Sequence, residues 1–501
     1  MLARAEQRSA AMLDANVRPA DWSNPAPAGR YNLVVIGGGT AGLIGAGIVA
    51  TLGGKVALIE REALGGDCLN TGCVPSKAII RSSRICAELR DAYMLGVESG
   101  SAHADFSAVM ERMRRIQARI SQKDSASRMQ SLGVDVYFGG ARFTGKDTLD
   151  VDGRCLRFQK ALIAAGSHPV IPEIEGLVAA GYLNNETVFD LVRLPRRLLV
   201  VGGGPIGCEL AQAFHRLGSR VTIVQREPQF LPQEERDAAQ ILSEALARDG
   251  LAIHLNTEVV KVTRAGDEKT AHMVCVGQKS TVTVDEVIAG AGRAPNVEGL
   301  GLAAANVDYD EEHGVTVDDF LRTSNPRIYA AGDIIEGSRF THMAEATARI
   351  AVQNALFFGR KRLSSLTVPW CTYTDPEIAH VGMYTRDARK RGIPVKTFTI
   401  PMNNVDRAIA DGEEEGFVKV TVKDGTDRIL GATIVARHAG EMINEITLAM
   451  VAGVGFKALS NVIHTYPTQA EAIRHAADAY RRAQLTPLLK RLTTQWLAWN
   501  R

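Results

Sequence analysis

Two cysteines at close spacing are the residues of this sequence best suited to chemistry. Cys68 and Cys73 lie in the segment GGDCLNTGCVPSK, residues 65–77, which ends at Lys77. If a helix begins in this segment, both sulfurs can lie near its first turn and form a disulfide. The helix dipole and Lys77 would then lower the pKa of a thiolate below its usual value of about 8.5.

Two other interpretations of the pair are two unrelated buried cysteines and part of a zinc site. Zinc would need two further Cys or His ligands, and the neighbouring sequence offers none. We therefore predict a redox-active dithiol and no metal site. The chain has seven cysteines, a sparse and odd number that argues against a disulfide-stapled secreted scaffold and favours a reducing, cytoplasmic location.

Two glycine-rich turns supply the elements that would position this chemistry. The segment YNLVVIGGGTAGLIGAGIVATLGGKVALIE, residues 31–60, has the pattern of a buried strand, a turn, a helix and a second strand. The same pattern returns in RRLLVVGGGPIGCELAQAFHRLGSRVTIVQRE, residues 196–227. One such motif is weak, but two copies between apolar strands and amphipathic helices predict two dinucleotide sites.

The first turn carries a complete dinucleotide fingerprint. Gly37 allows the tight turn, Gly39 lets the backbone approach a pyrophosphate, and Gly42 lets the helix and strand pack closely. Glu60 ends the second strand, where an acid can bond a ribose hydroxyl. The alternative for Glu60 is a solvated acid at a strand end.

The second turn, with Gly202, Gly204 and Gly207, lacks the ribose acid. Its second strand ends in Gln225 and Arg226. A neutral side chain followed by Arg suits a 2′-phosphate, so we predict NADPH over NADH, with NADH still possible. The alternative is a surface Arg226 that contacts nothing.

Composition places these sites in an ordinary globular chain. Its 501 residues suggest three or four domains, and 23% of them are charged. A net charge of +2 argues against nucleic acid or an anionic membrane as the main partner. No apolar run reaches the roughly 18 residues needed to cross a bilayer, and the N-terminus has no secretory signal pattern.

Taken together, these motifs resemble the class I pyridine nucleotide–disulfide oxidoreductases, in particular the mercuric reductase-like and dihydrolipoamide dehydrogenase-like branches. The resemblance runs from about Tyr31 to Arg482. Further family landmarks follow in order: GRAPN at 292–296, AAGD at 330–333, YTDPEIAHVG at 373–382 and YPTQAE at 466–471.

The resemblance implies an α/β fold with two Rossmann-like dinucleotide-binding domains, for FAD and NAD(P)H, and a C-terminal α+β dimerisation domain. The expected boundaries are a polar N-terminal arm at 1–30 that packs on the surface or is mobile, the FAD domain at 31–175 and 298–368, the NAD(P)H domain at 176–297, and the dimerisation domain at 369–501.

The resemblance also implies residue roles. Cys73 would be the thiolate beside the flavin, and Cys68 the interchange thiol that attacks substrate. Lys77 would lie near flavin N5 and pair with Glu209, whose alternative is an acid favoured only by the helix dipole. The cofactor-binding residues would be Gly37, Gly39, Gly42, Glu60, Gly66, Lys77, Ala141, Ala165, Gly166, Asp333, Thr341, Gly202, Gly204, Ile206, Gly207, Arg226 and Gly292.

One departure from the family pattern concerns the acid–base residue. The disulfide reductases have His directly before the Pro of the YPTQAE position, whereas this chain has Tyr466, with His464 nearby and Glu471 after it. Tyr is a poor base at neutral pH, and His464 is either its substitute or a packing residue. In the family's homodimer these residues would act on the partner's active site.

The expected activity is transfer of hydride from NADPH, through FAD, to a Cys68–Cys73 disulfide and on to a small-molecule or metal-ion acceptor. Mercuric reductases also lack that His, so Hg(II) is the first candidate, although the C-terminal segment LTTQWLAWNR lacks their cysteine pair. The alternatives are a dihydrolipoamide dehydrogenase with altered acid–base chemistry and a thiol redox sensor or electron-transfer subunit.

Overall fold

A computed structural model describes residues 2–98, 100, 103–290, 292–337 and 339–501, with side chains from residue 8 onward. The first part of the chain contains α1 (Leu2–Val17), β1 (Arg30–Ile36), α2 (Thr40–Thr51), β2 (Val56–Glu60), α3 (Gly66–Asn70), α4 (Cys73–Asp91), α5 (Phe106–Ser121), α6 (Ala126–Ser131), β3 (Val134–Phe138), β4 (Ala141–Gly145), β5 (Thr148–Val151), β6 (Arg154–Ile163) and β7 (Ser167–Pro169).

The middle of the chain also alternates helices and strands. Its elements are α7 (Leu177–Ala180), β8 (Arg197–Val201), α8 (Pro205–Arg216), β9 (Arg220–Val224), α9 (Arg236–Asp249), β10 (Ala252–His254), β11 (Thr257–Ala265), β12 (Glu268–Cys275), β13 (Gln278–Val284), β14 (Glu286–Ala289), β15 (Arg293–Pro295), β16 (Tyr309–Asp310), β17 (Gly314–Val315), β18 (Ile328–Ala330) and α10 (Thr341–Leu356).

The last part holds β19 (Pro369–Thr372), β20 (Glu377–Gly382), α11 (Thr385–Lys390), β21 (Val395–Pro401), α12 (Asp406–Asp411), β22 (Phe417–Lys423), β23 (Ile429–Ala436), α13 (Ala439–Val451), α14 (Phe456–Leu459), α15 (Glu471–Ala483) and α16 (Pro487–Trp499). We call β19 to α15 the C-terminal domain.

The first nucleotide fold is a seven-stranded sheet in the order β3-β2-β1-β6-β5-β4, with β18 also paired to β6. Strands β3, β2, β1, β6 and β18 run parallel, and residues 33–36 of β1 are buried. Such apolar strands need helices on both faces. Helices α2 and α10 pack against each other beside this sheet, which brings two distant parts of the sequence together.

The second nucleotide fold is a four-stranded parallel sheet in the order β10-β9-β8-β14, joined to a three-stranded antiparallel sheet, β11-β12-β13. The short pair β7 and β15 lies where the chain crosses between the two folds. The C-terminal domain is a five-stranded antiparallel sheet, β19-β20-β23-β22-β21, packed against α13 and α15. The predicted α/β class with an α+β C-terminal domain is confirmed.

The N-terminal arm contains a helix that the sequence analysis did not predict. Helix α1 packs along α5, and the buried hydroxyl of Ser9 donates a 3.0 Å hydrogen bond to Glu111. The following segment lies along β3, where the Asn24 side chain bonds both the N–H (2.8 Å) and the C=O (2.7 Å) of Phe138. Strand β3 is an edge strand, so the arm covers backbone groups that would otherwise remain unpaired.

One face of α8 joins the second nucleotide fold to the C-terminal domain. The Gln212 amide accepts from the Asp375 N–H at 2.8 Å and donates to the Asp375 C=O at 2.9 Å. One turn further, the Arg216 guanidinium donates to the Asp375 carboxylate at 2.8 Å. Because these residues share a helix face, they fasten α8 to residues 373–376.

Candidate active site

The dithiol joins the short helix α3 to the first residue of the long helix α4. Cys68 is in α3 and Cys73 is the first residue of α4; both are free thiols, half-buried and exposed respectively. The Cys68 thiol donates a hydrogen bond to Cys73, which lowers the pKa of Cys73 to about 6 and raises the pKa of Cys68. One sulfur is thus a thiolate at neutral pH while the other keeps its proton.

Two further groups favour the Cys73 thiolate. The Thr341 hydroxyl, on the first residue of α10, lies 3.5 Å from the Cys73 sulfur. Lys77, one turn along α4, adds a positive charge, and both groups lower the pKa of Cys73 while burial opposes them. Because Cys73 begins α4, the positive end of that helix dipole also favours the anion.

Lys77 is held by an ion pair across the two nucleotide folds. Its ammonium lies 2.6 Å from the Glu209 carboxylate on α8, and it sits 4.7 Å from the ring centroid of Tyr373. Glu209 is 5% exposed and also accepts from the Tyr373 N–H at 2.8 Å. The structure thus brings together Lys77 and Glu209, as the resemblance predicted, and adds Tyr373, which the sequence analysis did not assign.

The first glycine-rich turn is shaped as a cradle for a diphosphate. Gly37 has φ +104°, and a Cβ there would lie 2.2 Å from the Ala164 carbonyl oxygen. A Cβ on Gly66, beside the dithiol, would lie 2.8 Å from Gly39. Gly39 caps α2 without a side-chain hydrogen bond, so the first backbone N–H groups of α2 remain available to an anion.

Glu60 lies at the mouth of this cradle. Its carboxylate accepts from the Gly38 N–H at 2.6 Å and from the Glu62 N–H at 2.7 Å, while burial raises its pKa. The carboxylate stands at the end of β2, where the sequence predicted a contact with ribose. The small residues and the acid together fit a dinucleotide such as FAD.

A second acid, the half-buried Asp333, follows β18 at the same C-terminal edge of the parallel strands as the Gly37 turn and Glu60. Asp333 accepts from the Ser167 hydroxyl at 3.2 Å, and its pKa is raised by burial. Arg293 donates to the Ser167 hydroxyl and backbone and pairs with Asp67, next to the dithiol. Arg293 and Ser167 were missed by the sequence analysis, although Arg293 belongs to the GRAPN landmark.

The same landmark fixes the crossover between the two folds. Asn296 donates to the Ala165 carbonyl at 2.7 Å, and its backbone N–H donates to Gly166 at 3.0 Å. Gly166 and Gly292 both have positive φ, +69° and +107°. Ala141 begins β4 on the antiparallel extension of the first sheet. These four predicted cofactor residues therefore lie at bends or strand ends of the two folds.

The second glycine-rich turn repeats the first. Gly202 has φ +113°, a Cβ on Gly207 would lie 2.0 Å from the Gly202 carbonyl oxygen, and Gly204 caps α8 without a side-chain bond. Ile206 is exposed in the first turn of α8. The Arg226 side chain is 76% exposed at the end of β9, beside Glu227 at 3.7 Å.

The predicted acid–base residues lie on the C-terminal domain. Tyr466 is exposed and its hydroxyl donates to Asp406 at 3.0 Å, which raises the pKa of the phenol. The His464 ring is 7% exposed and bonds both Glu445 oxygens at 3.1 Å. Glu471 is buried and pairs with Arg474 at 2.8 Å. Tyr466 is therefore presented outward, whereas His464 is turned into its own domain.

The two glycine-rich turns and the dithiol define a class of protein, the oxidoreductases in which a dinucleotide supplies electrons to a dithiol. Residues 31–348 match the family described as pyridine nucleotide-disulphide oxidoreductase, and residues 368–477 match its dimerisation domain. The chain belongs to the pyridine nucleotide-disulphide oxidoreductase family, which confirms the resemblance drawn from the sequence.

Individual relatives carry two different names. A mercuric reductase of Lysinibacillus sphaericus is 32% identical over 448 residues, 89% of this chain and 82% of the relative. A dihydrolipoyl dehydrogenase of Thermus scotoductus is 34% identical over 458 residues, 90% of this chain and 97% of the relative. Identity of 32–34% establishes the family, and relatives at this level carry both names. The electron acceptor must therefore be argued from the residues of the site.

Solved structures share the fold. The HOCl-induced flavoprotein disulfide reductase RclA of Escherichia coli is 29% identical with a TM-score of 0.81, over 89% of this chain and 99% of that one. LpdA of Mycobacterium tuberculosis is also 29% identical with a TM-score of 0.81, over 90% and 99%. The family uses FAD with a reduced nicotinamide nucleotide, and its dimerisation domain implies a homodimer. Within the described residues, no helix is both long and apolar enough to cross a membrane.

Proposed function

We propose that this chain is an NADPH-dependent flavoenzyme that reduces a soft metal ion, with Hg(II) as the first candidate, at the Cys68–Cys73 dithiol. The observation that carries the proposal is the hydrogen-bonded pair in which Cys73 has a pKa of about 6 and Cys68 keeps its proton. Soft metal ions select thiolate ligands, and their binding displaces the remaining thiol proton.

The residues at the acid–base position favour a metal ion over a disulfide. Thiol–disulfide exchange needs a group that takes the proton of the attacking thiol and returns it to the leaving thiol. The phenol of Tyr466 has a raised pKa, and the His464 ring is engaged by Glu445. A metal ion bound by two thiolates needs no such base, so this chemistry suits the residues present.

In this reaction the residues of the site would position the dithiol and stabilise its charge. Bound FAD would supply the two-electron chemistry that links a nicotinamide nucleotide to the dithiol. Lys77, fixed by Glu209 at 2.6 Å, holds positive charge beside the Cys73 thiolate. The net reaction would be NADPH + Hg²⁺ → NADP⁺ + H⁺ + Hg⁰, with the proton released to solvent. Tyr466 would reach the partner's dithiol across the homodimer as a metal contact.

The choice of NADPH rests on the end of β9. Gln225 carries no charge to repel a 2′-phosphate, and the guanidinium of Arg226 is 76% exposed and available to it.

A dihydrolipoyl dehydrogenase-type activity is the second candidate, supported by the 34% identical relative of that name. A thiol redox sensor, a third possibility, would cycle the dithiol without steady turnover of a small acceptor.

The deciding experiment follows NADPH oxidation by the anaerobic flavoprotein with Hg(II), lipoamide and glutathione disulfide in parallel. We expect turnover with Hg(II), its loss in Cys68→Ser and Cys73→Ser, and full retention in Cys155→Ser, which changes an exposed cysteine of β6.

Turnover with lipoamide but not Hg(II) would assign the dihydrolipoyl dehydrogenase activity instead. Rapid flavin reduction without turnover of any acceptor would assign the sensor role. Turnover with Hg(II) that survives both cysteine substitutions would overturn the dithiol as the reaction site.

A further inference from the structure

The last helix of the chain, α16, lies beyond the family's dimerisation domain, whose match ends at residue 477. The helix has its own start signals: Pro487 is its first residue, and the Thr486 side chain accepts from the Leu489 N–H at 3.2 Å. A Thr N-cap followed by Pro is a strong local helix start. Helix α16 is therefore specified by its own sequence.

Helix α16 presents an apolar face that the chain itself does not cover. Spacings of four and seven residues align one arc of about 100°, formed by Leu488, Leu489, Leu492, Trp496 and Trp499. Trp496 is 59% and Trp499 is 78% exposed, and their rings meet edge to face at 5.6 Å. Every residue from 481 to 501 is exposed. A continuous exposed face of this kind marks an interaction surface.

Charge indicates what the surface meets. The net charge of +2 argued against an anionic membrane as the main partner of the whole chain, but that charge is unevenly distributed: residues 479–501 contain five Lys or Arg and no Asp or Glu, which leaves a net charge of −3 on the rest of the chain. Lys490 and Arg491 lie on the helix face opposite or beside the apolar arc. A helix with Leu and Trp on one face and Lys and Arg on the other is the pattern of a helix that lies in a membrane interface.

We infer that α16 docks this flavoprotein onto an anionic lipid bilayer, with its Leu and Trp side chains among the acyl chains and its cations against the phosphate headgroups. Nucleic acid would satisfy the cations but leave the tryptophans in water, so it fits the surface less well. A helix in this orientation does not span the bilayer, so it agrees with the lack of a spanning helix in the described residues. The homodimer would present two such helices, which strengthens attachment through avidity.

Vesicle sedimentation tests this inference with the full-length flavoprotein. Binding is compared for vesicles of phosphatidylcholine alone and of phosphatidylcholine with phosphatidylglycerol, at low and high salt. We expect binding to the anionic vesicles, weakened by salt, with a blue shift of tryptophan fluorescence. The Trp496→Ala/Trp499→Ala double variant and the Lys490→Gln/Arg491→Gln double variant should each lose binding by about tenfold or more.

The matched control is Tyr93→Ala, which removes a 72% exposed aromatic ring elsewhere on the chain and should bind like the parent. Equal binding to both vesicle types, or none to either, would overturn the inference. A dimer that dissociates in the Trp variants would instead assign α16 to the contact between two copies. NADPH oxidation with a soluble acceptor should be unchanged in all variants, which separates this inference from the proposed function.

Discussion

The side chains of Glu60 and Gln225 make the same hydrogen bond in the two nucleotide folds. Glu60 accepts from the Gly38 N–H at 2.6 Å, and Gln225 accepts from the Gly203 N–H at 2.7 Å. The two residues therefore occupy equivalent positions, and Glu60 carries a negative charge that Gln225 lacks. The proposed preference for NADPH follows from this difference, because the uncharged Gln225 would not repel a 2′-phosphate.

The first prediction tests this equivalence. Gln225→Glu should place a carboxylate where we propose that the 2′-phosphate binds, raise the KM for NADPH by about tenfold or more through like-charge repulsion, and improve the use of NADH. Arg226→Ala should weaken NADPH and leave NADH nearly unchanged. Steady-state kinetics with both nucleotides measures this, and Gln240→Glu, the same change on the exposed face of α9, is the control. Equal losses with both nucleotides would remove Gln225 and Arg226 from the role.

The second prediction concerns the pH dependence of the dithiol. Because the pKa of Cys73 is lowered to about 6, its alkylation by iodoacetamide in the reduced flavoprotein should be constant at neutral pH and fall as the pH drops through about 6. Cys68→Ala removes the donor that favours the thiolate, so the midpoint should rise by about one pH unit or more. Peptide mass spectrometry resolves Cys73 from Cys155, an exposed reference thiol. A midpoint that does not move in Cys68→Ala would contradict the hydrogen-bond explanation.

The third prediction separates the charge of Glu209 from its packing. Glu209→Gln keeps an acceptor for the Tyr373 N–H but removes the negative charge that raises the pKa of Cys73. The alkylation midpoint of Cys73 should therefore fall below that of the parent. Glu244→Gln, on the exposed face of α9, should leave it in place. If Glu209 only supports the fold, the midpoint will stay where it was while thermal stability drops.

The fourth prediction uses two glycines of one helix. In Gly42→Ala the new Cβ would lie 1.8 Å from the Gly37 carbonyl oxygen, whereas in Gly47→Ala the nearest atom is Met129 Cε at 4.0 Å. We expect Gly42→Ala to lower the free energy of unfolding by about 3 kcal/mol or more and to reduce flavin retention. Gly47→Ala should raise it by about 0.5–1 kcal/mol. Denaturant unfolding and the flavin content of the purified protein report both; a stable, yellow Gly42→Ala protein would show that the turn can widen.

The sequence predicted the parts of this molecule that depend on local rules. The two glycine-rich turns are recognisable because close backbone approach leaves no room for a side chain at Gly37 and Gly207. Contacts between segments that lie far apart in the sequence were harder to predict. The pair of Arg293 with Asp67 and the contact of Thr341 with Cys73 join residues more than two hundred positions apart. No periodicity in one sequence encodes such pairings, so only a resemblance could suggest them.

The N-terminal arm, residues 1–30, contains two features that the sequence analysis did not predict. The sequence analysis described residues 1–30 only as a polar arm that packs on the surface or is mobile, yet residues 2–17 are rich in Ala and also contain Leu, Met, Glu, Gln and Arg, all of which favour helices. That propensity was the overlooked signal. The cover over β3 by Asn24 could not be predicted, because it depends on which strand ends the sheet.

The junction along α8 carries a consequence for how the enzyme cycles. Gln212 and Arg216 fasten the second nucleotide fold to Asp375, and Glu209 adds a bond to the backbone of Tyr373 on the same helix face. Because α8 is bonded to residues 373–376 at three successive turns, the second nucleotide fold cannot rotate as a rigid body relative to the C-terminal domain. We therefore expect the nicotinamide nucleotide to bind and leave through movements of individual side chains at the entrance to the second nucleotide fold. The backbone of both folds should keep its position throughout the catalytic cycle.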